Sequence, residues 1–351
     1  MSHNISNVSV APVLSNSFVS TWFILTSVIL AVGSILSTLL IVSLSVRRRY
    51  RNSANLLVIH ALTVEVTNMA ILTPLSNTAI WAHQTGHPFH INCVPVAFFQ
   101  ILLTVLSNWS LVLLAINRMI AVVFPHHYAR YTRHRPLVLS IIVIWILGLA
   151  TTVPLLFGVG GTLNRFNPLG HCGVQPTRGV FFSMYTHVSF TGTMIIQAVC
   201  YTLVVGALRR AVQVADTQNF AEQRKQRRQR AISVVLLVVY VWYLACYLPI
   251  PVITTYFYHY WKDNYTLFVW LRTVMICGSA GTPVILLSMS REHRFALRSL
   301  LERLSLHLPS SRLCFRLKGR ARVNTSSPAS LPTPHKRSTS TSQSRCKVYV
   351  Y

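Results

Sequence analysis

The chain has 351 residues, of which 52% are hydrophobic and 11% charged, with 32 Lys+Arg against 6 Asp+Glu for a formal net charge of +26. A soluble domain carries about 25% charged residues, so this composition excludes an ordinary soluble fold. The positive charge would suit nucleic acid, but its placement excludes that partner: Arg165, Arg178, Lys262 and Arg272 alone fall in or near one set of loops, and the dense clusters sit on the other side of the apolar segments.

Residues 1–20 read as a Ser/Asn/Val-rich tail without the basic start and compact apolar core of a cleavable signal. Seven apolar stretches follow, near 21–46, 54–82, 93–124, 137–158, 180–208, 231–258 and 265–289. Each is long enough to cross a bilayer, because a hydrocarbon core ~30 Å thick needs about 20 residues of helix. Their polar residues are mostly Ser, Thr, Asn and His, which can bond back to the backbone or to neighbouring helices. The basic clusters are Arg47 to Arg49 with Arg51, then Arg130, Arg133 and Arg135, then Arg209 and Arg210, then Arg224 to Arg230, then the C-terminal segment. Positive residues stay cytoplasmic and are drawn to anionic inner-leaflet lipid, so the N-terminus is expected outside and the C-terminus inside. Asn4, Asn7 and Asn264 begin glycosylation sequons on the expected outside. Cys93 and Cys172 fall on the same side, in an oxidising compartment where a disulfide between them is expected. Cys200, Cys246 and Cys277 lie within spans and read as small buried hydrophobes. Arg291–His307 segregates Phe295, Leu297, Leu300, Leu301 and Leu304 from most of its arginines, as a short amphipathic helix lying on the inner leaflet would. The expected organisation is a tail over 1–20, a seven-span domain over 21–290, an amphipathic helix over 291–308, and a disordered cytoplasmic tail over 309–351 whose Cys314 is a candidate for palmitoylation.

No metal-ligand spacing, P-loop or GxSxG occurs, so neither an enzyme nor a cofactor is expected. Small marks inside the spans separate receptor from transporter or channel. Cys93 opens the third span and Asn117-Arg118-Met119 closes it, with Pro125 seven residues beyond Arg118. Asn55 and Glu65 mark the second span, Trp145 and Pro154 the fourth, and Tyr201 the fifth. Cys246-Tyr247-Leu248-Pro249 marks the sixth and Thr282-Pro283 the seventh. This ordered set resembles the class A (rhodopsin-like) G-protein-coupled receptors over roughly residues 20–305. The resemblance implies an all-α, seven-transmembrane bundle with a short eighth helix. It also implies an extracellular ligand, a heterotrimeric G protein, and arrestin with a receptor kinase acting on the Ser/Thr-rich tail. The departures are Glu65 and Asn117 for Asp, Met119 for an aromatic, Tyr247 for Trp, Thr282 and Leu286 for Asn and Tyr, Ser37 for Asn, and Thr193 near the place of the fifth-span Pro.

Carried over residue by residue, the resemblance assigns Asn117, Arg118, Met119, Pro125 and Tyr201 to the G-protein face. Asn117 offers Arg118 no charge pairing, so appreciable ligand-free signalling is expected. Glu65 is the single acid deep in a span, with Ser107, Ser279 and Thr282 as expected neighbours. It reads either as a protonated core residue or as a switch that takes Na⁺ or a proton. Pro249 and Pro283 are expected to bend their helices, with Tyr243 and Tyr247 as the adjoining switch. The expected ligand pocket is Gln100, Thr104, Tyr185, His187, Tyr247, Thr254 and Arg272. Gln100 in place of an amine-binding acid leaves a cationic amine without a counter-ion, and Ile276 replaces the retinal-bearing Lys. Arg272 either reaches outer headgroups or anchors a ligand carboxylate or phosphate. The expected function is a plasma-membrane receptor for a peptide or a small anionic molecule. The alternatives are a receptor-like protein without G-protein coupling and a transporter. A transporter would call for paired intramembrane charges or two related halves.

Overall fold

The computed structural model describes residues 14–46, 53–87, 89–131, 133–166, 169–176, 180–213, 220–257 and 264–307. Asn4, Asn7, Cys314 and the Ser/Thr-rich tail lie outside the described residues, as does the side chain of Thr254. Seven helices are long and apolar enough to cross a membrane: Asn16–Val46, Asn55–Thr85, Cys93–Val123, His134–Leu156, Met184–Arg210, Gln229–Ile253 and Tyr265–Met289. The protein is a multi-pass membrane protein built as a seven-helix bundle.

The first span shows why such a segment folds as it does. Ile24, Val28, Val32 and Ile35, spaced three or four apart, are exposed, while Thr26 and Ser37 are fully buried. Lipid is as apolar as these side chains, so nothing drives them inward. The face with small and hydroxyl residues packs, because it lets backbones approach, and a threonine there can bond back to its own helix. Thr26 donates to the Trp22 carbonyl at 2.9 Å in this way.

Among the described residues, regular helix breaks at three places within the spans. The second span carries a π-turn at Asn68–Leu72 just before Pro74, and the fifth carries one at His187–Thr191. The sixth stops at Tyr247 and restarts at Pro249, whose missing N–H cannot continue the ladder. Asn92 caps the third span and Asn264 the seventh, each side chain accepting from a first-turn backbone N–H.

Between the fourth and fifth spans the chain forms a hairpin, β1 (Gly161–Phe166) and β2 (His171–Pro176), paired antiparallel from Gly161↔Pro176 to Phe166↔His171. The strands are six residues each and glycine-punctuated, too short for a clear alternation in the sequence. The Cys93–Cys172 disulfide fastens β2 to the start of the third span. Gly170 turns the chain at φ +79, and a Cβ there would run into His83. Leu169 then packs with Trp22, Ile80 and Val269. The opposite, basic end has the larger core, built from residues such as Leu40, Leu62, Leu114, Leu236 and Leu286. An eighth helix, Arg291–His307, buries Ala296 and Leu300 and exposes Phe295 and Leu301.

Candidate functional site

At the hairpin end, buried side chains join spans one, two and seven. Arg272 Nε donates to Asn77 Oδ1 at 2.8 Å, and Asn77 Nδ2 donates to Thr26 Oγ1 at 3.3 Å. Trp22 Nε1 donates to Thr273 Oγ1 at 2.8 Å. Arg272 Nη2 remains buried with no hydrogen-bond partner. Beside it His171 stacks on Phe166, with ring centroids 4.8 Å apart, and leans on Phe268 at 4.5 Å. Burial, with the nearby Arg272 guanidinium, pushes His171 down from 6.5 to about 3, so its ring is neutral. Its Nδ1 is also buried without a partner. Among the described residues no carboxylate lies at this end.

The remaining expected pocket residues do not all converge there. Thr104 spends its hydroxyl on the Gln100 carbonyl at 2.7 Å. Tyr185 is buried, edge-on to Phe190, whereas His187 is exposed on the π-turn. Tyr247 sits at a deeper level, with its hydroxyl 2.6 Å from Ser279 Oγ.

That deeper level is a polar layer around the sixth span. Tyr243 donates to Asn108 Oδ1 at 2.6 Å, and Asn108 Nδ2 donates to the Ser189 carbonyl at 2.9 Å. Ser189 lies in the fifth-span π-turn, where the wider turn upsets the usual i→i−4 ladder, so its carbonyl can accept from another helix. The Tyr243 and Tyr247 rings stack at 4.5 Å. Ser107 donates to Glu65 Oε1 at 3.3 Å, and Glu65 Oε2 is buried without a partner. Glu65 and Thr282 line one small cavity of about 30 Å³. Ser279, committed to Tyr247, is not bonded to Glu65. Gly278 lets span six approach span seven: a Cβ there would fall 2.7 Å from the Tyr247 ring.

At the basic end Arg118 is 4% exposed, deep in the packing. It acts electrostatically on Tyr201, whose ring stacks on Tyr240 at 5.1 Å. Tyr240 donates to the Met194 carbonyl at 3.2 Å. Asn117 Nδ2 is buried with no partner. Pro125 opens a short helix, Pro125–Tyr131, and Pro283 is buried inside the seventh span. Met119 packs against the large core.

Sequence reading missed Asn77, Asn108, Tyr240 and His171. A buried asparagine inside an apolar span was the available signal for the first two, since an amide in hydrocarbon must find partners. It also missed a relay between spans two, three and four. Trp145 Nε1 donates to His60 Nε2 at 3.1 Å, which puts the ring proton on Nδ1, 3.1 Å from Ser110 Oγ.

The profile of the 7 transmembrane receptor (rhodopsin family) matches residues 37–285, and the chain belongs to that family. It is 27% identical over 212 residues to the rhodopsin of Myripristis violacea, covering 58% of this chain and 59% of that protein. It is 26% identical over 247 residues to the rhodopsin of Cottocomephorus inermis, covering 66% and 82%. The first of these alignments thus spans about three fifths of its relative's length. The crystal structure of squid rhodopsin superposes with a TM-score of 0.70 at 15% identity, over 83% of this chain and 87% of that one, a likeness of fold.

Proposed function

We propose that the chain is a plasma-membrane receptor with its hairpin end outside and its basic end in the cytoplasm. An extracellular anionic ligand would shift it toward a state that catalyses nucleotide exchange on a heterotrimeric G protein, with arrestin and a receptor kinase acting on the tail. The ligand does this only through its differential affinity for the two states. The observation that carries the reading is Arg118: a guanidinium 4% exposed at the basic end, beside the Tyr201–Tyr240 stack of spans five and six. A cation this costly to bury has a use when the helices above it part. The ligand class rests on Arg272, whose Nη2 and neighbouring His171 Nδ1 lack partners where the described residues supply no acid. A carboxylate or phosphate would accept from the free arm of that guanidinium. Glu65, with one oxygen unpartnered, is the seat for a proton or Na⁺.

The test is nucleotide exchange on purified heterotrimer with the full chain in lipid discs. Ligand-free exchange should fall at least about tenfold in Arg118→Ala, the scale of one lost charge-assisted contact. Arg272→Gln should keep basal exchange and lose the response to anionic ligands. Exchange unchanged in Arg118→Ala would favour a receptor-like protein that couples to no G protein, and solute flux without exchange would favour a transporter.

A further inference from the structure

A second cavity lies at the basic end, between spans five and six, one turn beyond Tyr201 and lined by none of the residues assigned above. It has a volume of about 520 Å³, within the ~300–1,000 Å³ range of small-ligand sites. Its walls are apolar: span five supplies Val204, Val205 and Leu208, and span six supplies Val234 and Leu237. Arg209 and Arg230, both exposed, stand at its basic rim. The cavity is also lined by Ser233, one turn along span six from Arg230; Ser233 is 1% exposed and its hydroxyl has no hydrogen-bond partner. One turn nearer the basic end, Gln229 Oε1 is likewise buried and unpartnered.

These features ask for one molecule with three parts. The walls ask for hydrocarbon, the buried hydroxyl for an acceptor just below the surface, and the two guanidiniums for an anion at it. Arg209 and Arg230 sit where the apolar lengths of spans five and six end, at Arg210 and Gln229, which is the depth of phospholipid headgroups. A soluble anion would leave the apolar walls empty. We propose that this cleft is a binding site for an anionic phospholipid of the leaflet at the basic end. The acyl chain lies between spans five and six, the ester carbonyl accepts from Ser233, and the phosphate is bound by Arg209 and Arg230. An occupant there wedges or bridges the two helices that form the cleft, so leaflet composition would bias how they move.

The test uses the full chain in discs of phosphatidylcholine alone or with phosphatidylserine, reading lipid retained after detergent exchange by native mass spectrometry. Wild type should retain one phosphatidylserine, and Arg209→Gln/Arg230→Gln should hold it about thirtyfold less well, as expected for two surface arginines. Val205→Trp fills the cleft with both arginines intact and should lose the lipid to the same degree. Leu208→Trp serves if Val205→Trp does not fold, and each variant must keep the wild-type melting point in pure phosphatidylcholine. Retention unaffected by the cleft-filling variant would mean that the arginines gather headgroups without a site, and the proposal falls. It also falls if glycerophosphoserine displaces the lipid as well as phosphatidylserine itself does, which would make this a plain anion site. If wild type retains no phosphatidylserine while Val205→Trp weakens only the binding of purified G protein, the cleft is a protein-docking face and the proposal is wrong.

Discussion

The two ends of the bundle are held together by different means. At the hairpin end the ties are a covalent bond, Cys93–Cys172, a ring stack through His171, and buried hydrogen bonds joining spans one, two and seven. At the middle and basic end, beside the Ser107–Glu65 bond and the His60 relay that join spans two, three and four, three further ties run through one helix. Span six places Tyr240, Tyr243 and Tyr247 on a common side, and each hydroxyl reaches a different neighbour: span five at Met194, span three at Asn108 and span seven at Ser279. The first arrangement resists displacement. The second holds span six, the helix that breaks at Pro249, to its neighbours through three hydroxyls. A frame fixed at one end and latched at the other suits a molecule that binds at the first and moves at the second.

Removing the covalent tie should have the largest effect. Cys172→Ala opens a loop of 79 residues in sequence separation and should cost about 2–4 kcal/mol. A marked fall in melting point and in ligand binding, with basal exchange per folded molecule changed little, would support the division of labour. Next comes a wedge at the latched side. Gly278→Ala would put a Cβ 2.7 Å from the Tyr247 ring and 2.9 Å from the Cys246 Cβ, so span six must shift at a cost of about 1–3 kcal/mol. Melting should drop less than in Cys172→Ala, and basal exchange should rise.

The latches themselves can be graded. Tyr243→Phe leaves Asn108 Oδ1 buried without its donor, a penalty of about 1–3 kcal/mol on the arrangement that this bond holds, and should raise ligand-free exchange several-fold. Tyr240→Phe removes a bond to a helix carbonyl that keeps its ladder partner, so its effect should be smaller. Equal effects would mean that the three tyrosines do not act as separate latches. Asn117→Asp should lower basal exchange, because a carboxylate next to Arg118 adds a charge-assisted restraint that the amide lacks.

Much of the bundle was legible in the chain because bilayer thickness imposes its own ruler on span length, and because arginine placement separates the two ends. The third span shows this best, with Cys93 and Arg118 at its two ends. The eighth helix was legible from its split of leucines and arginines. The hairpin was not, since register between two six-residue strands is set by the disulfide and by Gly170 fitting against His83, both contacts across long sequence distances. Nor were the partners of Asn108 and Asn77. The expense of burying an amide can be read from one residue, but which helix satisfies it depends on how helices rotate against one another. The π-turn that offers the Ser189 carbonyl has no residue signature of its own.

The finest discrimination concerns His171, a titratable group that packs between hairpin and bundle at the fixed end. Its folded value of about 3 lies below the ordinary 6.5, so the unfolded chain takes up a proton that the folded chain refuses. The stability this neutral ring confers is fully present above about pH 6.5 and is lost as pH falls toward 3, at up to about 1.4 kcal/mol per pH unit. Acidification should therefore lower the melting point, and His171→Phe, which keeps a ring between Phe166 and Phe268, should flatten that dependence. Arg272→Gln separates the two causes. Burial is the larger, so removing the guanidinium should move the acid limb upward only in part. If Arg272→Gln flattened the profile as completely as His171→Phe does, the charge rather than the apolar sandwich would be holding the ring neutral. The hairpin end would then be latched electrostatically rather than fixed by packing.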